Sequence, residues 1–166
     1  MIEAICKDKD IQYAKQNATS PHQPNPLPMN TKKFVLGTVA GGVVYFLLGF
    51  VVYAILLESF FASHAGSATG VTKADMQFWP LILGNLAQAA LLSYIFLQWA
   101  NIKTFGAGLT AGATIGFLMT LGFDMIMYDT SNVMDLTGSI VDTLVYTIIT
   151  ALVGGVVGVV LGLGKS

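Results

Sequence analysis

Four long, uncharged apolar runs constrain this chain more than any other feature. They cover residues 34–57, 78–100, 104–123 and 143–164, and each is at least 20 residues long. A helix rises about 1.5 Å per residue, so roughly 20 residues cross a hydrocarbon core about 30 Å thick. Helices of a soluble domain need one polar face, which these runs lack. The sequence therefore predicts an all-α, polytopic membrane protein.

Composition agrees with this fold class. Hydrophobic residues make up 54% of the chain and charged residues 10%, against about 25% charged residues in ordinary soluble domains. With 166 residues, the chain has room for one membrane domain. We expect a bundle of four transmembrane helices with glycine-rich contacts, whose spans cover about 34–57, 78–100, 104–127 and 140–164.

The first 30 residues differ from the rest. Four of the five prolines fall between positions 21 and 28, without apolar periodicity, so residues 1–30 are predicted to be a disordered cytoplasmic tail before a transmembrane domain at 31–166. Residues 1–28 are either a native variable tail or an upstream extension from start-site choice. The first apolar run exceeds the roughly 7–15 residues of a signal-peptide core, which predicts an uncleaved helix.

Lysine placement predicts the orientation. Lys32 and Lys33 precede the first run, Lys103 lies between the second and third, and Lys165 follows the fourth, whereas only Lys73 falls in the other loops. By the positive-inside rule, both termini and the 101–103 connection are cytoplasmic.

Several classes of function are disfavoured. All eight basic residues are lysine and the net charge is −1, so nucleic acid is not an expected partner. The single cysteine, Cys6, excludes an intramolecular disulfide and a cysteine-based metal cluster. Phosphate loops, nucleophile elbows and His-Glu-x-x-His motifs are absent. We expect no enzyme activity, no cofactor and no metal.

Glycines recur at every fourth position in three of the runs. This spacing stacks them on one helix face and lets a neighbouring backbone approach closely, as in a glycine zipper. Two interpretations follow: packing among the four helices, which we favour, or a seam with a second copy or another membrane protein. The first and third runs also align at one offset, as a duplication or by chance. The predicted packing glycines are Gly37, Gly41, Gly108, Gly112, Gly116, Gly154, Gly158 and Gly162.

Two polar stretches resemble helix starts. Residues 72–75 (Thr-Lys-Ala-Asp) and 139–142 (Ser-Ile-Val-Asp) fit the hydroxyl-x-x-acid capping pattern before the second and fourth spans. This pattern predicts that Asp142 is a capping residue at a helix N-terminus, where negative charge is favoured.

Asp124 is the most interesting carboxyl group, because apolar residues flank it on both sides. It lies about 30 Å along the third helix, near the outer boundary. An ionisable group at membrane depth is a functional candidate. If the third helix instead ends at Phe123, Asp124 is merely interfacial.

Other polar residues fall at a similar depth. Asn85 and Gln88 share one face of the second helix, while Tyr53 and Tyr146 each lie one turn below a carboxylate. They predict an outward-open pocket for a cation or a small polar solute, or else simple interhelical hydrogen bonding. The candidate binding residues are Tyr53, Asn85, Gln88, Asp124, Asp142 and Tyr146.

The glycine-rich first helix with Gly49-x-x-x-Tyr53, the four-span plan and the lack of catalytic motifs resemble one family of small bacterial inner-membrane proteins. That family is catalogued only as a domain of unknown function. Many members carry a tryptophan and a proline where this chain has Val52 and Ile55. The resemblance covers roughly 31–164 and implies four helices in the bacterial inner membrane, with no established activity.

For function, we expect an integral, multi-pass structural or accessory component whose partners are the lipid bilayer and a second copy or another membrane protein. The alternative is a small transporter or channel component that handles a cation or small polar solute. An intramembrane enzyme is a third class, disfavoured because no span carries paired catalytic groups.

Overall fold

The computed structural model describes residues 30–71, 73, 75 and 77–163. The predictions for the N-terminal tail, for Thr72 and for Lys165 lie outside these residues. The chain is helical, and its elements are α1 (Thr31–Gly49), a π-helical segment (Phe50–Leu56), α2 (Glu58–Ser63), α3 (Phe78–Ile95), a second π-helical segment (Phe96–Ala100), α4 (Phe105–Thr130) and α5 (Leu136–Gly162).

Four helices are long and apolar enough to cross a membrane, as the sequence predicts. They cover Thr31–Leu56, Phe78–Ala100, Phe105–Thr130 and Leu136–Gly162. Large apolar side chains are exposed on their outer faces, unlike those of a soluble monomer. Examples are Leu36, Leu47, Ile82, Leu83, Leu118, Phe123 and Ile148.

The start of α5 corrects one prediction. Asp135 is the N-cap residue, and its Oδ1 accepts a 2.7 Å hydrogen bond from the Gly138 amide. The helix begins at Leu136, so Asp142 lies almost two turns inside it and does not cap it. Asp75 likewise lies outside α3, which begins at Phe78 without a side-chain cap.

Two π-helical segments were not predicted. The first continues α1 from Phe50 to Leu56, and the chain then breaks at Leu57. The second continues α3 to Ala100. Asn101 follows it in a left-handed conformation (φ 47°), and its amide donates to the Phe96 carbonyl. Asparagine tolerates this conformation better than most residues. The wide π turns change the direction of the side chains that follow them.

The centre of the bundle is α5. It packs along the length of α4 and also against α1, which in turn packs against α3. Among the described residues, α3 and α4 make at most marginal contact, although only a short connection joins them. The buried apolar core lies where α1, α3 and α5 meet, around Leu92, Phe96, Val153, Val157 and Leu161.

The buried face of α4 is a single row of residues with a four-residue period. Its members are Gly108, Gly112, Gly116, Thr120 and Asp124. The row begins with three glycines, continues with a hydroxyl and ends with a carboxyl group. It lies against α5, and this row positions the candidate site.

Several predicted packing glycines lie where a side chain would collide with another helix. A Cβ at Gly108 would meet the Gly154 carbonyl oxygen, and a Cβ at Gly112 would lie 2.5 Å from the Thr150 carbonyl oxygen. On α1, a Cβ at Gly41 would lie 2.8 Å from Val157. Corresponding contacts face Gly37, Gly116, Gly154, Gly158 and Gly162, whereas Gly49, Gly84, Gly106 and Gly122 have open space.

Polar contacts also hold segments together at each end of the bundle. At one end, Ala65 and Met134 form an isolated antiparallel bridge, and the Gly66 amide donates to the Val133 carbonyl at 2.9 Å. At the other end, Lys33 Nζ donates to the Leu161 carbonyl at 3.1 Å, where a cation is favoured at a helix C-terminus.

Candidate functional site

A cavity of about 350 Å³ lies between α3 and α4, with α5 on its far side. It exists because α3 and α4 do not pack together. All of its lining residues belong to the four long helices, and none of them is a lysine. The polar lining residues are Tyr45, Gln88, Thr120, Asp124, Asp142, Tyr146 and Thr150.

Asp124 is buried inside α4. The helix continues to Thr130, and the side chain of Asp124 is only 7% exposed. The hydroxyl of Thr143 on α5 donates a 2.7 Å hydrogen bond to Asp124 Oδ2. The alternative interpretation, in which the third long helix (α4) ends at Phe123, is therefore wrong.

Asp142 is half-buried on α5, where it faces both the cavity and α1. The Tyr53 hydroxyl, from the first π-helical segment, donates a 2.6 Å hydrogen bond to Asp142 Oδ1. Tyr53 does not line the cavity, so its role in the structure is to hold Asp142. The two carboxyl groups, Asp124 and Asp142, line the same cavity.

A second set of polar side chains on the cavity lining consists of Tyr45, Tyr146 and Thr150. The rings of Tyr45 and Tyr146 stack with centroids 6.1 Å apart. The Tyr45 hydroxyl donates to Thr150 Oγ1 at 3.2 Å, in a buried contact between α1 and α5. Aromatic faces at this depth can attract a cation through their negative quadrupole.

The two predicted amides on α3 lie in different environments. Gln88 lines the cavity and is exposed at its edge. Asn85 does not line it, and its side-chain NH₂ donates to the Leu81 carbonyl of its own helix at 2.8 Å. The structure thus brings Gln88, Asp124, Asp142 and Tyr146 together around one cavity and leaves Asn85 outside.

Thr120 is a cavity residue with an unused hydroxyl. It is 8% exposed, it lines the cavity, and it makes no hydrogen bond within the described chain. It lies one helical turn from Asp124 on the same face of α4. A hydroxyl that lines a cavity and has no protein partner can bond to water or to a ligand in that cavity.

Each carboxyl group also retains an oxygen that no described residue engages. Asp124 uses Oδ2 and Asp142 uses Oδ1 in the bonds given above. The lining carries two carboxyl groups and no lysine, and ionised carboxylates attract cations. Among the described residues, no group of three or more His, Cys, Asp or Glu is placed to hold a metal ion.

Sequence reasoning missed Tyr45, Thr120, Thr143 and Thr150. One signal was available for Thr120, because the glycine period of α4 extends without a break to Thr120 and Asp124. A similar signal exists on α5, where polar side chains recur every three or four residues through Ser139, Thr143, Tyr146 and Thr150. The hydrogen bond between Tyr45 and Thr150 has no signal in the local sequence, because the two residues are far apart in the chain.

Comparison with protein-family models, curated proteins and solved structures finds no match for this chain.

Proposed function

We propose that this chain is an integral membrane protein that binds a cation or small polar solute in the cavity between α3 and α4, as a small transporter or channel component. One observation carries the proposal: Asp124 and Asp142, on adjacent helices, line one cavity within the candidate membrane spans. Carboxyl groups at membrane depth are costly and typically mark substrate or ion pathways.

The setting of the two carboxyl groups supports this function. Each is held by one hydroxyl donor and keeps an oxygen directed to no described partner. Hydroxyl, phenol and amide groups on the same lining offer neutral ligands, as at Thr120, Tyr146 and Gln88. A cation that enters would exchange water for these oxygens at little reorganisation cost.

A structural or accessory role is the second candidate. The observation in its favour is that the bonds Tyr53–Asp142 and Thr143–Asp124 each join two helices. Interhelical bonds of this kind stabilise membrane bundles by about 0.6–2 kcal/mol each. In this role the partners are the bilayer and a second copy or another membrane protein. Neither role involves catalysis.

We place the protein in the bacterial inner membrane with both termini cytoplasmic. Lys32, Lys33 and Lys103 lie at one end of the bundle, where α1 begins and the α3–α4 connection turns. Lys73 lies in the connection at the other end. This asymmetry supports the orientation by the positive-inside rule.

We also propose that the glycine faces are the principal helix contacts of the bundle. The support is the closeness of backbones at Gly108, Gly112 and Gly154, where a Cβ would collide with the facing helix. In lipid, close packing of this type replaces hydrophobic burial as a source of helix association.

Flux measurements in proteoliposomes test the function. We expect wild-type protein to carry or bind a monovalent cation or a small polar solute, and Asp124→Asn to abolish this while leaving folding nearly intact. Asp129→Asn is the matched control, because Asp129 is exposed on the same helix and does not line the cavity. If Asp124→Asn equals wild type in every flux and binding assay, the cavity function is wrong and the accessory role remains.

A further inference from the structure

The mouth of the cavity lies on the side of the bundle. Its exposed lining residues are Gln88 and Leu91 on α3, and Met119 and Phe123 on α4. These two pairs border the gap that separates the helices. No described residue of the connecting loops lines the cavity. The opening therefore faces sideways, through the gap between α3 and α4. It does not open along the axis of the bundle.

The depth of this mouth places it within the hydrocarbon. Gln88 lies midway along the Phe78–Ala100 span, and Met119 lies near the middle of α4. A side opening at the centre of a membrane-spanning helix faces acyl chains and not water. A solute that uses this opening must itself be soluble in the lipid phase.

The lining is divided into an apolar edge and a polar interior. Leu91, Met119 and Phe123 form the edge, whereas the carboxyl groups and Thr120 lie further in and are partly or fully buried. Thr120 lacks a hydrogen-bond partner within the described chain, and each carboxyl group has an unengaged oxygen. Three acceptor oxygens on one lining suit a primary ammonium group, which has three donors.

From this juxtaposition we propose that the ligand is an amphiphilic cation, with a primary ammonium head and an apolar body, which enters from the bilayer between α3 and α4. The head lies against Asp124, Asp142 and Thr120, and the apolar body lies along Met119, Phe123 and Leu91. The cavity volume of about 350 Å³ falls in the range of small-ligand pockets. The inference rests on the proposed cation-binding function and specifies its ligand.

Calorimetric titration of the protein in nanodiscs tests the ligand class, with empty nanodiscs as the blank for partitioning into lipid. The probes are octylammonium, methylammonium and octanoate. Methylammonium keeps the positive charge without the long apolar chain, and octanoate keeps a long apolar chain with a negative charge. We expect octylammonium to bind wild type at least about tenfold more tightly than methylammonium, because the chain buries apolar surface. Octanoate should bind no more than the blank, because its charge is repelled.

Four variants locate the site. Asp124→Asn should weaken octylammonium binding by about tenfold or more, whereas Asp129→Asn should bind as wild type does. Met119→Trp narrows the mouth and should weaken octylammonium more than methylammonium. Leu118→Trp is its control, since Leu118 is exposed on the same helix and does not line the cavity. Gel filtration of each variant verifies folding.

The outcomes separate the two proposals. If methylammonium binds as tightly as octylammonium and depends on Asp124, the cavity takes small cations and only the amphiphile inference is wrong. If octanoate binds like octylammonium, or Met119→Trp has no more effect than Leu118→Trp, entry of a cation through this mouth is refuted. If no cation binds above the blank, both proposals fall.

Discussion

The phenol of Tyr53 donates a 2.6 Å hydrogen bond to Asp142, which joins the π-helical end of α1 to α5. Tyr53 lies within the π-helical turns, so its direction depends on that segment. The bond fixes the orientation of a carboxyl group that lines the cavity without placing Tyr53 in the cavity itself. The first span thus reaches the candidate site at two places, directly through Tyr45 on the cavity lining and indirectly through Tyr53.

Removal of the Tyr53 hydroxyl should destabilise the bundle. We expect Tyr53→Phe to lower the free energy of unfolding by about 0.6–2 kcal/mol, since interhelical hydrogen bonds in membranes have roughly this strength. Thermal unfolding in detergent measures the effect. Tyr94→Phe is the control, because Tyr94 is exposed and makes no described hydrogen bond. A double-mutant cycle with Asp142→Ala that gives no coupling would contradict the assigned bond.

Leucine at Gly112 should separate α4 from α5. A Cβ there would already lie 2.5 Å from the Thr150 carbonyl oxygen, so we expect Gly112→Leu to cost about 1–3 kcal/mol or more in unfolding free energy. Gly122→Leu, on the same helix with open space around it, is the matched control. Equal melting temperatures for the two variants would show that the glycine face is not a packing contact.

Asp135 should stabilise the start of α5. Loss of its hydrogen bond to the Gly138 amide in Asp135→Ala is expected to cost about 0.5–2 kcal/mol, the usual range for an N-cap. Asp129→Ala, an exposed carboxylate that caps no helix, should have little effect. Thermal unfolding of both variants measures the difference, and equal stabilities would argue against the cap.

Cysteine labelling in intact cells examines the orientation. In a Cys6→Ser background, a cysteine at Ser67 should react with an impermeant reagent from outside, and a cysteine at Lys103 should be protected until the cells are opened. The two positions lie in different connections, one at each end of the bundle. The reverse pattern would overturn the positive-inside assignment.

The four long helices were predictable because length and lack of charge are sufficient to define a span. Their ends were less predictable. The apolar run of α5 begins only at Thr143, yet the helix begins at Leu136. Asp135 and Ser139 are both residue types that cap helices, and the sequence offers no means to choose between them.

The candidate site was predictable in its charges and not in its partners. Asp124 is conspicuous because apolar residues flank it, and Asp142 because it lies at the edge of a long apolar run. Thr143 and Tyr45, in contrast, resemble ordinary members of a span. The π-helical segments have no recognisable sequence pattern, so the direction of Tyr53 could not be derived. Which helices leave a gap depends on tertiary packing, and no residue of α3 or α4 alone encodes it.

The separation of α3 from α4 has a consequence for how the protein is assembled. The first hairpin pairs α1 with α3 and the second pairs α4 with α5, so most helix contacts form between spans that are neighbours along the chain. The two hairpins meet mainly through α5 and α1. Each half therefore makes most of its helix contacts within itself, and we expect a chain divided in the 101–104 connection to rebuild the bundle from two separate polypeptides.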